Sequence, residues 1–169
     1  MPRQYFLKKT LAELGTFSVR PLDLADDIAV ITDWVNQDYA YYWGMQGQTV
    51  QQVGDFYQDL LIRQPDSVFI GTYQGKPAFL LECYHAQADL IGKYYPARPD
   101  DMGMHILVAP PERKIRQFTW GIFQTVIAFI FSNSSVNRIV VEPDIRNEKN
   151  SSSQFACGIC LRKYGAVTA

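Results

Sequence analysis

The sequence carries almost no net charge and few cysteines. Its 16 basic and 17 acidic residues leave a formal net charge of -1, whereas nucleic-acid-binding domains usually have a basic face. We therefore expect no nucleic-acid partner. Three cysteines cannot form a disulfide framework, because their number is odd. Cys157 and Cys160 have the C-x-x-C spacing, but no second pair accompanies them, and His85 and His105 lack zinc-finger spacing. We expect no metal site.

Long apolar runs are also missing. The longest one, at 126–131, has six residues, whereas a membrane-spanning helix needs about 20. The first nine residues contain two basic clusters but no apolar core or small-residue cleavage site after them. We therefore expect a cytoplasmic protein with no membrane partner.

The remaining composition is that of a globular protein. Hydrophobic residues make up 47% and charged residues 20% of the 169 residues, enough for one continuous core. We interpret 1–169 as a single domain, with 1–15 as an N-terminal extension and 150–169 as an atypical tail.

Hydrophobic periodicity predicts a mixed α/β layer sandwich around a mixed sheet. Helical spacing predicts helices at 28–35, 50–63 and 116–132, with a short helix at the end of the chain. Apolar alternation predicts strands at 16–20, 68–73, 77–84, 102–108 and 137–142.

The strand–helix–strand unit from Met102 to Asp144 is the most informative segment. A crossover helix of this length implies two parallel strands, and ligands of such sheets bind beside the start of the helix. The free N–H groups of a helix start attract anions, and Arg113, Lys114 and Arg116 add positive charge there. A pyrophosphate group would fit. The alternative is a solvated helix start with no ligand.

Seven short motifs follow one another along the sequence. They are F-S-V-R-P-L at 17–22, Y-W-G-M at 42–45, E-C-Y at 82–84, D-L-I-G-K-Y-Y at 89–95, G-M-H-I-L-V at 103–108, E-R-K-I-R at 112–116 and V-V-E-P-D-I-R-N at 140–147, the last of which contains an E-P-D-x-R-N signature. Together these motifs resemble one enzyme family, the siderophore-biosynthesis branch of the GNAT acyltransferase superfamily. The resemblance runs from about residue 16 to 149, and within this branch the sequence is most similar to the aerobactin-type N6-hydroxylysine acetyltransferases.

This resemblance implies a GNAT fold and a catalytic activity. The expected reaction transfers an acyl group from acetyl-CoA or another acyl-CoA to an N-hydroxylated amine, either N6-hydroxylysine or an N-hydroxydiamine, in hydroxamate siderophore synthesis. It marks His105 and Asp144 as the catalytic residues. Asp144 as base and His105 as orienting or relay group is the preferred assignment, and the reverse stays open. The implied acyl-CoA contacts are Ile106, Leu107, Val108, Arg113, Lys114, Ile115, Arg116 and Asn147.

Four residues are candidates for the acceptor pocket: Trp43, Gln46, Glu82 and Tyr84. Glu82 is the most informative, because a carboxylate in an otherwise apolar strand is costly to bury without a cationic partner. A diamine or a lysine-like substrate would supply that cation. Trp43 is equally well explained as a core aromatic residue.

Two features depart from the family. The segment before the 116–132 helix lacks the family's Gly-rich pyrophosphate loop, which makes close approach of a phosphate harder. The tail lacks the expected ending, so the fold class is a GNAT-like sandwich without its last strand or strands. One allowed codon set for residues 149–163, with a single nucleotide removed, encodes K-I-H-L-L-N-L-R-V-G-F-V-Y-E-K, which resembles the family ending. The hypothesis is a truncated or frameshifted tail, which sequencing of the gene tests.

The missing strands would leave an exposed sheet edge, which favours a homodimer. Two other functions remain open at this point. One is a GNAT N-acetyltransferase for another amine such as an aminoglycoside. The other is a non-catalytic protein that binds acyl-CoA.

Overall fold

The computed structural model describes residues 5–141, 159–162 and 165–168. These described residues form three α-helices and eight strands, with short 3-10 helices at 38–43, 86–88 and 90–93. The α-helices are α1 (Leu24–Val35), α2 (Val50–Arg63) and α3 (Phe118–Ser132). The strands are β1 (Leu7–Leu11), β2 (Gly15–Pro21), β3 (Val68–Tyr73), β4 (Lys76–His85), β5 (Asp101–Val108), β6 (Arg138–Val141), β7 (Ile159–Arg162) and β8 (Gly165–Thr168).

Helix α2 shows how local sequence sets the element boundaries. Thr49 and Gln52 form a reciprocal capping box, which satisfies two backbone N–H groups at the start of the helix. Val53 and Tyr57, four residues apart, form its buried face. The helix ends before Pro65, as the restriction on residues that precede proline predicts. The predicted range 50–63 is therefore confirmed.

The chain forms two compact units, of which the first contains residues up to 82 together with 106–129. Strands β1 to β4 follow chain order in its sheet, and each neighbouring pair is antiparallel. Apolar side chains of α1 and α2 form one core with those of β3, β4 and β5. Aromatic side chains of α3 pack on β2 and β3 through Phe118–Phe17 and Phe129–Phe69 ring contacts.

A buried ion pair ties α1 to β2. The two terminal nitrogens of Arg20, Nη1 and Nη2, donate to the Asp27 carboxylate at 2.6 Å, and both side chains are almost fully buried. The backbone N–H of Asp23 also donates to Asp27, at 2.9 Å. Asp23 itself caps the helix by accepting from two backbone N–H groups. The first turn of α1 is therefore fixed to the sheet by charge-assisted hydrogen bonds.

The second unit contains residues 83–105 and the described residues from 130 onward. In it β5 runs parallel to β6, with Asp101 opposite Arg138 and Gly103 opposite Val140, which confirms the parallel pair predicted for this crossover. Strand β6 pairs antiparallel with β7, and β7 pairs antiparallel with β8.

One prediction about the end of the chain is wrong. The closing strands are not missing, because β7 and β8 follow β6. The short helix predicted after the 137–142 strand was given no bounds, and residues 142–158 lie outside the described residues. The exposed β6 edge, which was the reason to expect a homodimer, is covered by β7. At the N-terminus, β1 lies within the segment interpreted as an extension and precedes the strand predicted as the first.

Asp101 is the electrostatic centre of the second unit. Its carboxylate accepts from Arg138 Nε at 2.5 Å, from Tyr95 Oη at 2.9 Å and from the Arg98 backbone N–H at 2.8 Å. The Arg138 guanidinium also lies 5.1 Å from the centre of the Tyr95 ring. Burial by itself raises the pKa of Asp101, but these hydrogen bonds and the Arg138 charge outweigh it and lower the pKa below its ordinary value.

None of the helices in the described part of the chain is sufficiently long and apolar to span a membrane.

The Asp101 cluster predicts a pH-dependent contribution to stability. A lowered native pKa stabilises the fold above the unfolded pKa of about 3.9, and this contribution is lost as the pH falls toward the lowered native pKa. We expect Asp101→Asn to reduce the free energy of unfolding by about 3–5 kcal/mol near neutral pH, because Arg138 loses its carboxylate. The loss should shrink in acid. Urea unfolding at neutral and acidic pH measures it.

Asp100→Asn is the matched control, because the Asp100 carboxylate accepts an exposed hydrogen bond from the Asn137 side chain. Its backbone carbonyl, which accepts from the N–H groups of Asn137 and Arg138, is unchanged by the substitution. An equal loss for Asp100→Asn and Asp101→Asn at neutral pH would contradict the central role of Asp101.

Candidate functional site

Three side chains from separate elements of the first unit form a hydrogen-bond chain. Trp43, the last residue of the 38–43 3-10 helix, donates from Nε1 to Tyr57 Oη at 3.2 Å. Tyr57 on α2 donates from Oη to Glu82 Oε1 on β4 at 3.0 Å. Tyr57 is 0% exposed, and Trp43 and Glu82 are half-buried. Two predicted pocket residues, Trp43 and Glu82, are thus joined through Tyr57 on the buried face of α2.

The direction of these two hydrogen bonds follows from the chemistry of the three side chains. The indole N–H of Trp43 can only donate, so the Tyr57 oxygen must accept from it. The Tyr57 hydrogen is then available for Glu82, which accepts as a carboxylate. Burial, together with the nearby negative charge of Glu82, raises the pKa of Tyr57 far above its ordinary value. Tyr57 therefore keeps its proton and acts as a hydrogen-bond donor rather than as a base.

In the second unit, Tyr84 and His105 are in ring contact. Their centroids lie 4.9 Å apart with the planes tilted by 44°. The Tyr84 ring also lies on the backbone of Gly103, where an added Cβ would come within 2.1 Å of the ring. Tyr84 packs against the small core of Ala86, Ile91 and Val140. His105 is exposed on β5, so its imidazole is held on one side by an aromatic ring and is accessible to solvent.

The segment before α3 presents the predicted cations to solvent. Arg113, Lys114 and Arg116 are all exposed, and Ile115 is half-buried and accepts at its carbonyl from Phe118 N–H at 3.3 Å. Gln117 has a left-handed backbone with φ of 59°, which is a conformation that favours glycine. The turn that begins the helix is therefore made without the glycine that the family pattern would place near it.

The remaining predicted site residues lie partly near the groups described above and partly elsewhere in the protein. Leu107 is buried in the core of the first unit, and Ile106 and Val108 are half-buried on the same strand. Gln46 is exposed and donates to the Gln37 carbonyl at 3.2 Å, so it joins neither cluster. Asp144 and Asn147 lie outside the described residues. Within the described part of the chain, His, Cys, Asp and Glu side chains form no group of three or more that could hold a metal ion.

The sequence contains a signal for a buried partner of Tyr57. A tyrosine on the buried face of a helix needs a hydrogen-bond partner for its hydroxyl. Glu82, on a strand predicted to be buried, needs a donor for the same reason. The two requirements match, but their pairing depends on how α2 packs on β4, which the sequence did not show.

Comparison with known proteins identifies related sequences. A family profile described as acetyltransferase (GNAT) domain matches residues 23–166. The N-hydroxyputrescine acetyltransferase of Acinetobacter baumannii is 25% identical over 130 residues, which are 76% of this chain and 62% of that protein. The lysine N-acyltransferase MbtK of Mycobacterium tuberculosis is 37% identical over 79 residues, 46% and 38% of the two chains. An N(6)-hydroxylysine O-acetyltransferase of Escherichia coli is 26% identical over 134 residues, 78% and 42% of the two chains.

The matched segments span less than two thirds of the length of these relatives. Solved structures with similar folds include an uncharacterized protein from Bacillus halodurans, with a TM-score of 0.78 and 24% identity over 90% of this chain and 79% of that one. Another is an aminoglycoside acetyltransferase, AAC(6')-Ib, in complex with coenzyme A, with a TM-score of 0.68 and 19% identity over 85% and 83% of the two chains. At these identities the structures support the fold alone, a mixed α/β fold with a mixed sheet.

The Tyr84 contact predicts a steric test of the second unit. Gly103→Ala should reduce the free energy of unfolding by about 1–3 kcal/mol, because the new methyl group displaces the Tyr84 ring from the strand. The double variant Gly103→Ala, Tyr84→Ala should recover part of this loss, because removal of the Tyr84 ring leaves space for the new methyl group. Gly54→Ala is the control, since its Cβ would meet Ile28 at an ordinary 3.6 Å. Unchanged stability of Gly103→Ala in urea unfolding would contradict the packing of Tyr84 on β5.

Proposed function

We propose that this chain, which belongs to the acetyltransferase (GNAT) domain family, is an acyl-CoA-dependent N-acyltransferase that acylates an N-hydroxylated amine in hydroxamate siderophore synthesis. The acceptor is N6-hydroxylysine or an N-hydroxydiamine. The names of the relatives support this assignment, since they include enzymes for N-hydroxyputrescine, N(6)-hydroxylysine and lysine. All three of these compounds are amines with a second polar group on an alkyl chain.

The observation that carries the choice of acceptor is the position of Glu82. Its carboxylate is half-buried on β4, next to the fully buried Val68 of β3 in the sheet register. Its Oε1 accepts a hydrogen bond from Tyr57. An ammonium group at the far end of a diamine or on a lysine-like acceptor complements a carboxylate in charge and as a hydrogen-bond donor.

The residues before α3 suit the diphosphate of an acyl-CoA donor. Arg113, Lys114 and Arg116 are exposed cations, and they precede a 15-residue helix whose first N–H groups attract anions. The donor would supply the activated acyl carbon. The backbone N–H groups of Ile106, Leu107 and Val108 are the groups that would polarise its carbonyl, and Ile115 and Asn147 complete the proposed contacts.

The acceptor needs little help to become a nucleophile. An N-hydroxyamine is a weaker base than an alkylamine and is neutral near pH 7, so removal of its proton requires only a base of ordinary strength. His105, exposed and supported by Tyr84, and Asp144 are the proposed proton-handling groups. We assign Asp144 as base and His105 as the group that orients the acceptor or relays its proton.

Turnover with matched acceptors tests the proposed function. The purified chain should acylate N6-hydroxylysine with acetyl-CoA and should react with lysine at least about tenfold more slowly at neutral pH, because the lysine amine is protonated. Coenzyme A release and mass spectrometry of the product measure both reactions. An aminoglycoside is the control acceptor. Faster acylation of the aminoglycoside than of N6-hydroxylysine would contradict the assignment.

Replacement of the proposed base gives a second test. Asp144→Asn should preserve the fold and lower kcat by about a hundredfold or more, the range typical for loss of a general base. Asp89→Asn is the control, because Asp89 caps the 90–93 3-10 helix. Wild-type turnover of Asp144→Asn would remove this residue from the mechanism.

A further inference from the structure

We infer that Tyr57 is a positioning residue for acceptor selectivity: by holding one oxygen of Glu82, it fixes the carboxylate so that the chain prefers acceptors with a second, cationic amine. This inference rests on the proposed function, because it concerns the acceptor of that same reaction. It goes beyond the predicted pocket residues, since Tyr57 was not among them.

The first argument is the rigidity of the donor. Tyr57 is 0% exposed and belongs to the core formed with Val53, Ile31 and Leu80. Its ring is in edge contact with Phe56 at 5.1 Å. Close-packed rings in a core keep one rotamer, so the hydroxyl occupies a fixed position relative to α2. A flexible surface donor could not transmit a defined geometry to Glu82.

The second argument is the polarity of the hydrogen-bond chain. The Trp43 N–H donates to the Tyr57 oxygen at 3.2 Å, and Tyr57 donates to Glu82 Oε1 at 3.0 Å. Because Trp43 can only donate, the hydrogen bonds of this network all run in one direction, and each hydrogen bond strengthens the next. The result is an oriented carboxylate rather than one that rotates among its rotamers.

The third argument concerns selectivity. A fixed carboxylate binds an ammonium group from a limited range of directions, so binding a diamine costs little reorganisation. A monoamine of the same length gains nothing from Glu82. Tyr57 therefore increases the difference in affinity between the two acceptors, while the hydroxylamine end of each interacts in the same way.

The test measures binding and does not depend on turnover. Calorimetry with N-hydroxy-1,4-diaminobutane and with N-hydroxybutylamine, in the presence of coenzyme A, gives the ratio of their affinities. The wild-type chain should prefer the diamine. Tyr57→Phe should reduce this preference by about tenfold, the scale of one hydrogen bond to a charged group. Glu82→Gln should abolish it.

Tyr73→Phe is the matched control. Its hydroxyl is also part-buried and donates a hydrogen bond, to the Leu14 carbonyl at 2.8 Å, so the same atom is removed from the same unit. We expect this variant to lose stability and keep the wild-type preference. Trp43→Phe removes the donor to Tyr57 but keeps the Tyr57 hydroxyl, so it should reduce the preference for the diamine less than Tyr57→Phe does. This variant is the alternative test if Tyr57→Phe does not fold.

The possible outcomes separate the claims. An unchanged preference in Tyr57→Phe or, where that variant does not fold, in Trp43→Phe would overturn the positioning role. So would an equal loss in Tyr73→Phe, because the effect would then be one of general stability. A wild-type chain without preference for the diamine would also overturn the inference. Absence of acyl transfer in the turnover assay, with the preference intact, would overturn the proposed reaction and leave the role of Tyr57 supported.

Discussion

A carboxylate on an apolar strand is stable only if hydrogen bonds replace the water that it loses. Glu82 receives such a bond from Tyr57, and this requirement links three elements of the first unit. Helix α2 must place Tyr57 over β4, and the 38–43 segment must place Trp43 next to the Tyr57 oxygen. Gly44, with φ of 78°, ends that segment in a left-handed conformation that suits glycine. The chemistry of one side chain thus constrains the packing around it.

The second unit is organised by a different kind of interaction. Asp101 gathers Arg138, Tyr95 and the Arg98 N–H at the start of the parallel pair β5 and β6. On the same strand, Gly103 allows Tyr84 to lie against the backbone and to support His105. A glycine with an ordinary extended backbone is required there for close approach. The position of His105, the candidate catalytic histidine, therefore depends on Gly103, a residue without a side chain.

Much of the fold follows from local patterns. Helix α2, the strands β3 and β4 and the parallel strands β5 and β6 were predicted because hydrophobic periodicity marks them clearly. The ends of the chain were not. β1 has side chains that are partly buried or exposed. β7 and β8 lie in the tail that was interpreted as atypical, although the family profile extends to residue 166. Each of these two strands has only four residues, the shortest length over which alternation predicts a strand.

The candidate site depends on contacts that the sequence does not show. Trp43, Glu82, Tyr84 and His105 were proposed from the sequence, but Tyr57 was not, because it fits the apolar face of α2 as well as any core residue. The left-handed Gln117 was also missed, since sequence patterns predict that conformation for glycine. Gln46, which was predicted in the pocket, donates to the Gln37 carbonyl. Tertiary packing decides the partner of a buried polar side chain such as Tyr57, and local patterns do not show that partner.

The central claim is that Glu82, held by Tyr57, binds the second amine of the acceptor. The most direct measurement is a crystal structure with an N-hydroxydiamine and coenzyme A bound. The account predicts the ammonium nitrogen about 3 Å from a Glu82 carboxylate oxygen, with the Tyr57 hydrogen bond to Glu82 intact. An ammonium group bound at another carboxylate, or left in solvent, would contradict it.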